Sequence, residues 1–357
     1  MPLNHYVTLG RSGLAVSPFC LGAMTFGEDW GWGASTTESK AIIDRYLDAG
    51  GNFIDTANRY TEGTSEKLIG EFIASDRERF VIATKYTLFM RRDDPNFCGN
   101  HRKNLIQSLE ASLKRLGTDY VDIYWLHAWD FTTPVDEVMR SLDDLVRSGK
   151  VRYVGISDTP AWIVSQANTL ADLRGWTPFT GLQIRYSLID RTPEADLLPM
   201  ARAFDLAVTP WSVLGAGVLS GKYTHGPAPK EGRAKDGAAR VERNIEIART
   251  VAEVAGEIGC TPAQAAIGWA RQQPGVVIPI LGGRNLAQIK DNLGAIQLTL
   301  GPDHMKRLDE ASRIDLGFPH NFLDKEFIRD LVYGGTYDRI ENHRRSRSGE
   351  SLTGKER

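Results

Sequence analysis

Long apolar runs are missing from this 357-residue chain: no stretch approaches the roughly 18 residues that a membrane-crossing helix needs, although 41% of the residues are hydrophobic. The opening MPLNHYVTLGRSGL lacks the apolar core of a signal peptide. Cysteine is scarce and odd in number. Cys20, Cys98 and Cys260 lie far apart with no CxxC pair, which excludes a disulfide framework or a zinc ribbon and points to reduced thiols. Strong charge of one sign is also absent. A formal net charge of −2 produces no field to draw in nucleic acid or an acidic membrane. The seven histidines are scattered, and CGNH (98–101) is an isolated pair, so metal catalysis is not expected. A soluble cytoplasmic protein acting on a small molecule is what these absences leave; they do not bear on oligomeric state.

Short apolar runs alternate with longer amphipathic ones. The short runs are FCLGAMTFG (19–27), NFIDTA (52–57), FVIATK (80–85), YVDIYWLH (120–127), VRYVGIS (151–157), GLQIRYS (181–187), LAVTPWS (206–212) and VVIPILGG (276–283). They are rich in Val, Ile and aromatics with little polar alternation, as in strands of a parallel sheet covered on both faces. Between them, STTESKAIIDRYLDAG opens on a Ser/Thr cap, HRKNLIQSLEASLKRLG stops at Gly117, and PVDEVMRSLDDLVRSGK opens on Pro134 and ends at Gly149, all helix punctuation. Eight strand–helix units predict an α/β fold, a (β/α)8 TIM barrel within a single domain over 1–340. Residues 5–18 predict a β-hairpin plugging the barrel base, and 212–240 a ligand-covering loop. A C-terminal extension follows from about residue 317, and its polar end, 341–357, is predicted disordered.

Catalytic groups of such barrels sit at the C-terminal ends of strands. The second strand ends at Asp55, with Tyr60 in the loop beyond; the third ends at Lys85 and the fourth at His127. Singly these read as a turn cap, a rim aromatic, a surface lysine and a core histidine. Together, on three adjacent strands, they suggest a relay. Asp55 keeps a buried Lys85 charged, Lys85 draws down the Tyr60 pKa, and Tyr60 exchanges a proton with substrate oxygen that His127 orients. A Schiff-base lyase would need a depressed Lys85 pKa, which Asp55 opposes.

These four residues, with DTANRYTEGTSEKLIG, SGKVRYVGIS and IRYSLIDR around them, resemble the aldo-keto reductases from about residue 6 to 315, and most closely the branch of bacterial-type aryl-alcohol dehydrogenases and potassium-channel β-subunits. The resemblance implies reduction of aldehydes and ketones (alcohol dehydrogenation in reverse) by a nicotinamide cofactor, with Tyr60 as general acid/base; the alternative is a cofactor-binding redox sensor like the channel subunits. It places Ser157, Asp158 and Gln183 at the carboxamide, Asp158 standing where the family usually has asparagine. Trp211 is set to stack on the nicotinamide, and Ser212, Leu214, Gly217 and Lys222 line the pyrophosphate loop. Gly282, Arg284, Gln288 and Asn292 lie at the adenosine end. Arg284, opening a helix, suits a 2′-phosphate and so favours NADPH over NADH. Trp30, Trp32, Tyr86, Phe89 and Trp129 are candidate substrate walls, suited to an apolar or aromatic carbonyl or alcohol.

Overall fold

The computed structural model describes residues 3–223, 237 and 241–341. Two short antiparallel strands, β1 (Val7–Thr8) and β2 (Ala15–Val16), precede eight parallel ones: β3 (Cys20–Gly22), β4 (Phe53–Asp55), β5 (Val81–Tyr86), β6 (Val121–Leu126), β7 (Val151–Ser157), β8 (Phe179–Arg185), β9 (Ala207–Trp211) and β10 (Ile280–Leu281). Neighbours run in chain order from β3 to β9, and β10 pairs with β3. A parallel bridge between Val208 and Val277 brings the two ends of the sheet together, so the barrel is nearly closed. The eighth strand is far shorter than its apolar run because Pro279 has no N–H for the ladder; its carbonyl still accepts from Cys20 N at 3.0 Å.

Helices follow the strands on the outside: α1 (Thr36–Asp48), α2 (Thr64–Ile73), α3 (Arg102–Leu116), α4 (Val135–Arg147), α5 (Ala161–Arg174), α6 (Leu197–Ala203), α7 (Glu242–Ile258), α8 (Pro262–Arg271) and α9 (Leu286–Gly294). Their ends follow the sequence punctuation. Ser35 accepts from Glu38 N at 3.2 Å to cap α1, and Gly117, at φ 64°, ends α3 in a conformation costly for any side chain. Beyond α10 (Pro302–Ser312), α11 (His320–Leu323) and α12 (Glu326–Tyr333) carry exposed Phe322, Phe327 and Leu331. The expected ligand-covering loop lies mostly, and the polar tail almost wholly, outside the described residues. Among the described residues, no helix is long and apolar enough to cross a membrane and no group of His, Cys, Asp and Glu could hold a metal ion.

The strand period of two sorts the core into two layers. Phe53, Val81, Ala83, Ile123, Trp125 and Ala207 fill the barrel interior, whereas Ile54, Ile82, Tyr124 and Leu182 face the helices. Leu9 and Val16 of the hairpin join the interior cluster, and Arg11 N donates to Asp205 O at 2.7 Å, so the hairpin does plug the base. Trp125 takes its place because the neighbouring strands carry no side chain beside it: a Cβ at Gly155 would stand 2.2 Å from the indole, and one at Gly181 2.7 Å. Gly155→Ala is therefore expected to cost about 1–3 kcal/mol of stability by overpacking, read as a lower urea midpoint at unchanged slope. An unchanged midpoint would mean that the indole yields freely.

Candidate active site

Above this packed layer, the inward positions change from apolar to polar. Asp55 and Ser157 end their strands, Lys85 is the last residue but one of β5, His127 follows β6 and Gln183 lies near the end of β8, all on consecutive strands. The register fixes their heights: Asp55 lies opposite Ala83, so Lys85 stands two residues further along, above Asp55. Lys85 Nζ donates to Asp55 Oδ2 in a very short ion pair, to Thr56 O at 2.7 Å and to Tyr60 Oη at 3.2 Å. All three donor positions of the ammonium are thus used. Gln183 Nε2 donates to the other Asp55 oxygen at 3.1 Å. The His127 ring meets the Tyr60 ring edge-on with centroids 5.9 Å apart. The structure brings the four expected catalytic side chains into one cluster.

The electrostatics agree in part with the sequence reading. Burial lowers the Lys85 pKa, but Asp55 and Tyr60 outweigh it and hold the pKa above the ordinary lysine value. Burial pushes the Asp55 pKa up, while Lys85 and Gln183 pull it back. His127 is held neutral: burial lowers its pKa well below the usual value, and Lys85 adds to the shift. Tyr60 goes the other way from expectation. Lys85 does draw its pKa down, but burial outweighs the ammonium and Asp55 adds to it, so the net shift is upward. Tyr60 is therefore a phenol at neutral pH, carrying the proton that a carbonyl reduction consumes.

The chain reaches Tyr60 through a conformation that side chains rarely adopt. Thr61 and Glu62 have φ of 45° and 55°, followed by Gly63 at 93°, at a cost of about 1–2 kcal/mol for each of the two non-glycine residues. Thr61 helps to offset it: its Oγ1 donates to Phe26 O at 2.6 Å and accepts from Ser65 N at 3.1 Å.

A cavity of about 950 Å³ opens over the cluster. Asp55, Tyr60 and His127 line it, while Lys85 is fully buried beneath. All twelve expected cofactor residues, from Ser157 to Asn292, are on its walls. Ser157 Oγ is buried there without a partner. Asp158 accepts from Trp211 Nε1 at 3.2 Å, which fixes the plane of the indole at the wall. Leu214 precedes a 3₁₀ segment, Gly215–Ser220, that contains Gly217, and a Cβ on Gly217, at φ 99°, would stand 2.8 Å from Lys222 Nζ. At the far end Asn292 donates to Gly282 O at 3.2 Å. Asn285, not Arg284, caps α9 by accepting from Gln288 N at 3.0 Å; Arg284 precedes the cap, exposed, its N–H donating to Gln288 Oε1 at 2.8 Å.

Of the expected substrate walls, Trp30 lines the cavity. Tyr86 does not, and the pleat gives the reason. With Lys85 turned inward, its neighbour must face the helices, where Tyr86 is fully buried and stacks on Tyr124 at 5.2 Å. Trp32, Phe89 and Trp129 also lie off the cavity wall: Trp32 packs on Trp30, Phe89 lies under the guanidinium of Arg59, and Trp129 packs on the outer core. Arg59, Met24 and Leu88 line the cavity instead. The sequence offered a sign only for Arg59, beside Tyr60.

The comparisons with known proteins follow the same outline. Residues 18–313 match the model of the aldo/keto reductase family. The norsolorinic acid reductase of Aspergillus flavus is 37% identical over 329 residues, 89% of this chain and 84% of that protein. A putative aryl-alcohol dehydrogenase of Saccharomyces cerevisiae is 38% identical, covering 87% of each chain. The aryl-alcohol dehydrogenase [NADP(+)] of Phanerodontia chrysosporium is 36% identical over 92% of this chain and 91% of that protein. These names agree with the aryl-alcohol dehydrogenase side of the resemblance and lend none to the channel-subunit side. The chain belongs to the aldo/keto reductase family, as an oxidoreductase acting on carbonyl and alcohol groups.

Proposed function

We propose that this protein is an NADPH-dependent reductase of aromatic aldehydes and ketones, working as an aryl-alcohol dehydrogenase in reverse, with Tyr60 as its proton donor. The observation that carries the reading is the Lys85 ammonium shared among Asp55, Thr56 O and Tyr60 Oη at the floor of the cavity. The walls fit a nicotinamide dinucleotide. Ser157 Oγ is an unpartnered polar atom suited to a carboxamide, Trp211 offers a flat face held by Asp158, and Gly217 and Gly282 leave the backbone bare where a pyrophosphate and a ribose would pass. Bound there, the reduced cofactor supplies the hydride. Tyr60 then gives its proton to the carbonyl oxygen, Lys85 stabilises the phenolate left behind, and neutral His127 hydrogen-bonds the same oxygen.

The preference for NADPH rests on Arg284 at the cavity end, and on a relative whose name specifies NADP(+). Arg284→Ala is expected to weaken NADPH by about 1.5–3 kcal/mol, the usual size of a hydrogen bond to a charged group, and to leave NADH unaffected. Titrating the protein's fluorescence with each cofactor measures this; equal losses for both would remove Arg284 as the reader of the phosphate. The function itself is tested by NADPH oxidation with benzaldehyde and bulkier aryl ketones. Quenching by NADPH with no turnover of any aryl carbonyl would refute the proposed activity.

A further inference from the structure

One carboxylate beside Tyr60 holds two flat side chains at the substrate end of the cavity. Glu62 Oε1 accepts from Trp30 Nε1 at 3.1 Å, and its Oε2 pairs with the guanidinium of Arg59. Trp30 comes from the loop after β3 and Arg59 from the loop after β4, and both line the cavity. The Arg59 guanidinium lies 4.5 Å from the centroid of the Phe89 ring, which fixes its plane from outside. Glu62 makes both contacts from a turn in which its own backbone and that of Thr61 are left-handed, a strained conformation of the kind that gathers at functional sites.

From this geometry we infer that Glu62 is a positioning residue for substrate recognition, holding the Trp30 indole and the Arg59 guanidinium as walls of a slot for a planar aromatic carbonyl. The inference rests on the proposed reductase reading and specifies its substrate end. Stabilising the fold is not what the contact is for: the Glu62 side chain is half exposed, and ion pairs of that kind add little to stability. Its effect is orientational. A free indole and a free guanidinium sample many rotamers, and a ring entering between them must order both. Held in advance, they present two π-binding faces.

The test compares wild type, Glu62→Ala and Glu62→Gln on 2-naphthaldehyde and on butanal, with NADPH binding as a control for an intact cofactor site. Glu62→Ala is expected to raise KM for 2-naphthaldehyde about tenfold, the worth of one or two π contacts, with kcat for both aldehydes and KM for butanal essentially unchanged. Glu62→Gln, which can still accept from Trp30 but cannot pair with Arg59, falls between. Trp30→Phe, keeping a ring but losing the N–H, reproduces part of the loss. An unchanged ratio of the two KM values in Glu62→Ala would overturn the inference. So would an equal fall in kcat for both aldehydes, which would place the effect of Glu62 on Tyr60 and not on the slot. Binding of 2-naphthalenemethanol, followed by calorimetry, separates this inference from the reading beneath it. A wild type that reduces neither aldehyde yet binds this alcohol about tenfold more tightly than Glu62→Ala would refute the reductase and support the slot.

Discussion

Tyr60→Phe is expected to lower kcat for aldehyde reduction by about 10²–10⁴, the usual range for a lost general acid, while NADPH quenching stays as in wild type. The substitution removes one oxygen and leaves the ring against His127. What disappears is the hydroxyl to which the Lys85 ammonium donates. Without it, the carbonyl oxygen must gain its negative charge before any proton reaches it. The upward shift of Tyr60 makes a second, independent demand. The phenol is protonated at neutral pH, so reduction holds its rate through that range. Alcohol oxidation needs the phenolate and climbs as pH rises toward the shifted value. A pH profile with the opposite order, oxidation flat and reduction climbing, would remove Tyr60 from the proton step, as would full activity in the phenylalanine variant.

Lys85→Met has the largest expected effect on stability. The ammonium is fully buried, and Asp55 is 2% exposed. Removing one partner of such a pair strands the other charge, at about 3–5 kcal/mol. The deficit has a pH signature. Burial raises the Asp55 pKa even with Lys85 present, and without it the rise is larger. A carboxyl whose folded pKa exceeds its unfolded value favours the folded state most below the unfolded value, near 3.9. That advantage declines as pH rises toward the folded pKa. The variant is therefore closest to wild type in acid and furthest from it at pH 7–8. Adding Asp55→Asn removes the stranded charge and returns most of the loss, while activity stays low. Urea denaturation of the two single variants and the double measures the coupling; additive losses would mean that the buried pair is not a pair.

How much of this was legible in the sequence depended on what each feature needed. Strand–helix alternation and the caps of α1 and α3 are local, and the run of eight units carried them to a barrel. The convergence of Asp55, Lys85 and His127 followed from their places at the ends of consecutive strands. Tyr86 lies next to Lys85 in sequence but away from the cavity, because the pleat turns adjacent residues to opposite faces. The direction of the Tyr60 shift differs from expectation for another reason. The ammonium was visible in the pattern, but the depth of burial that outweighs it was not. Arg284 stands one residue before the helix that the sequence suggests it opens, because Asn285 has the capping side chain. The Glu62 contacts leave no trace in the sequence: a carboxylate within RYTEG (59–63) gives no sign that its backbone is left-handed or that an indole from another loop reaches it.

The hairpin at the barrel floor has a consequence for how the chain is made. β1 and β2 are synthesised before the rest of the barrel, yet the backbone groups that seat them belong to residues near 180 and 205–207: Arg11 donates to Asp205 O, and Gly10 lies so close to Thr180 O and Asp205 O that even a methyl group there would clash. Nor can β3 complete its pairing until Ile280 and Leu281 arrive. A nascent chain must therefore carry β1, β2 and β3 without these later partners while the strands between are translated. Its apolar Leu9, Val16 and Leu21 are the surfaces that a ribosome-associated chaperone would have to shield, and closure of the ring waits for the last strand.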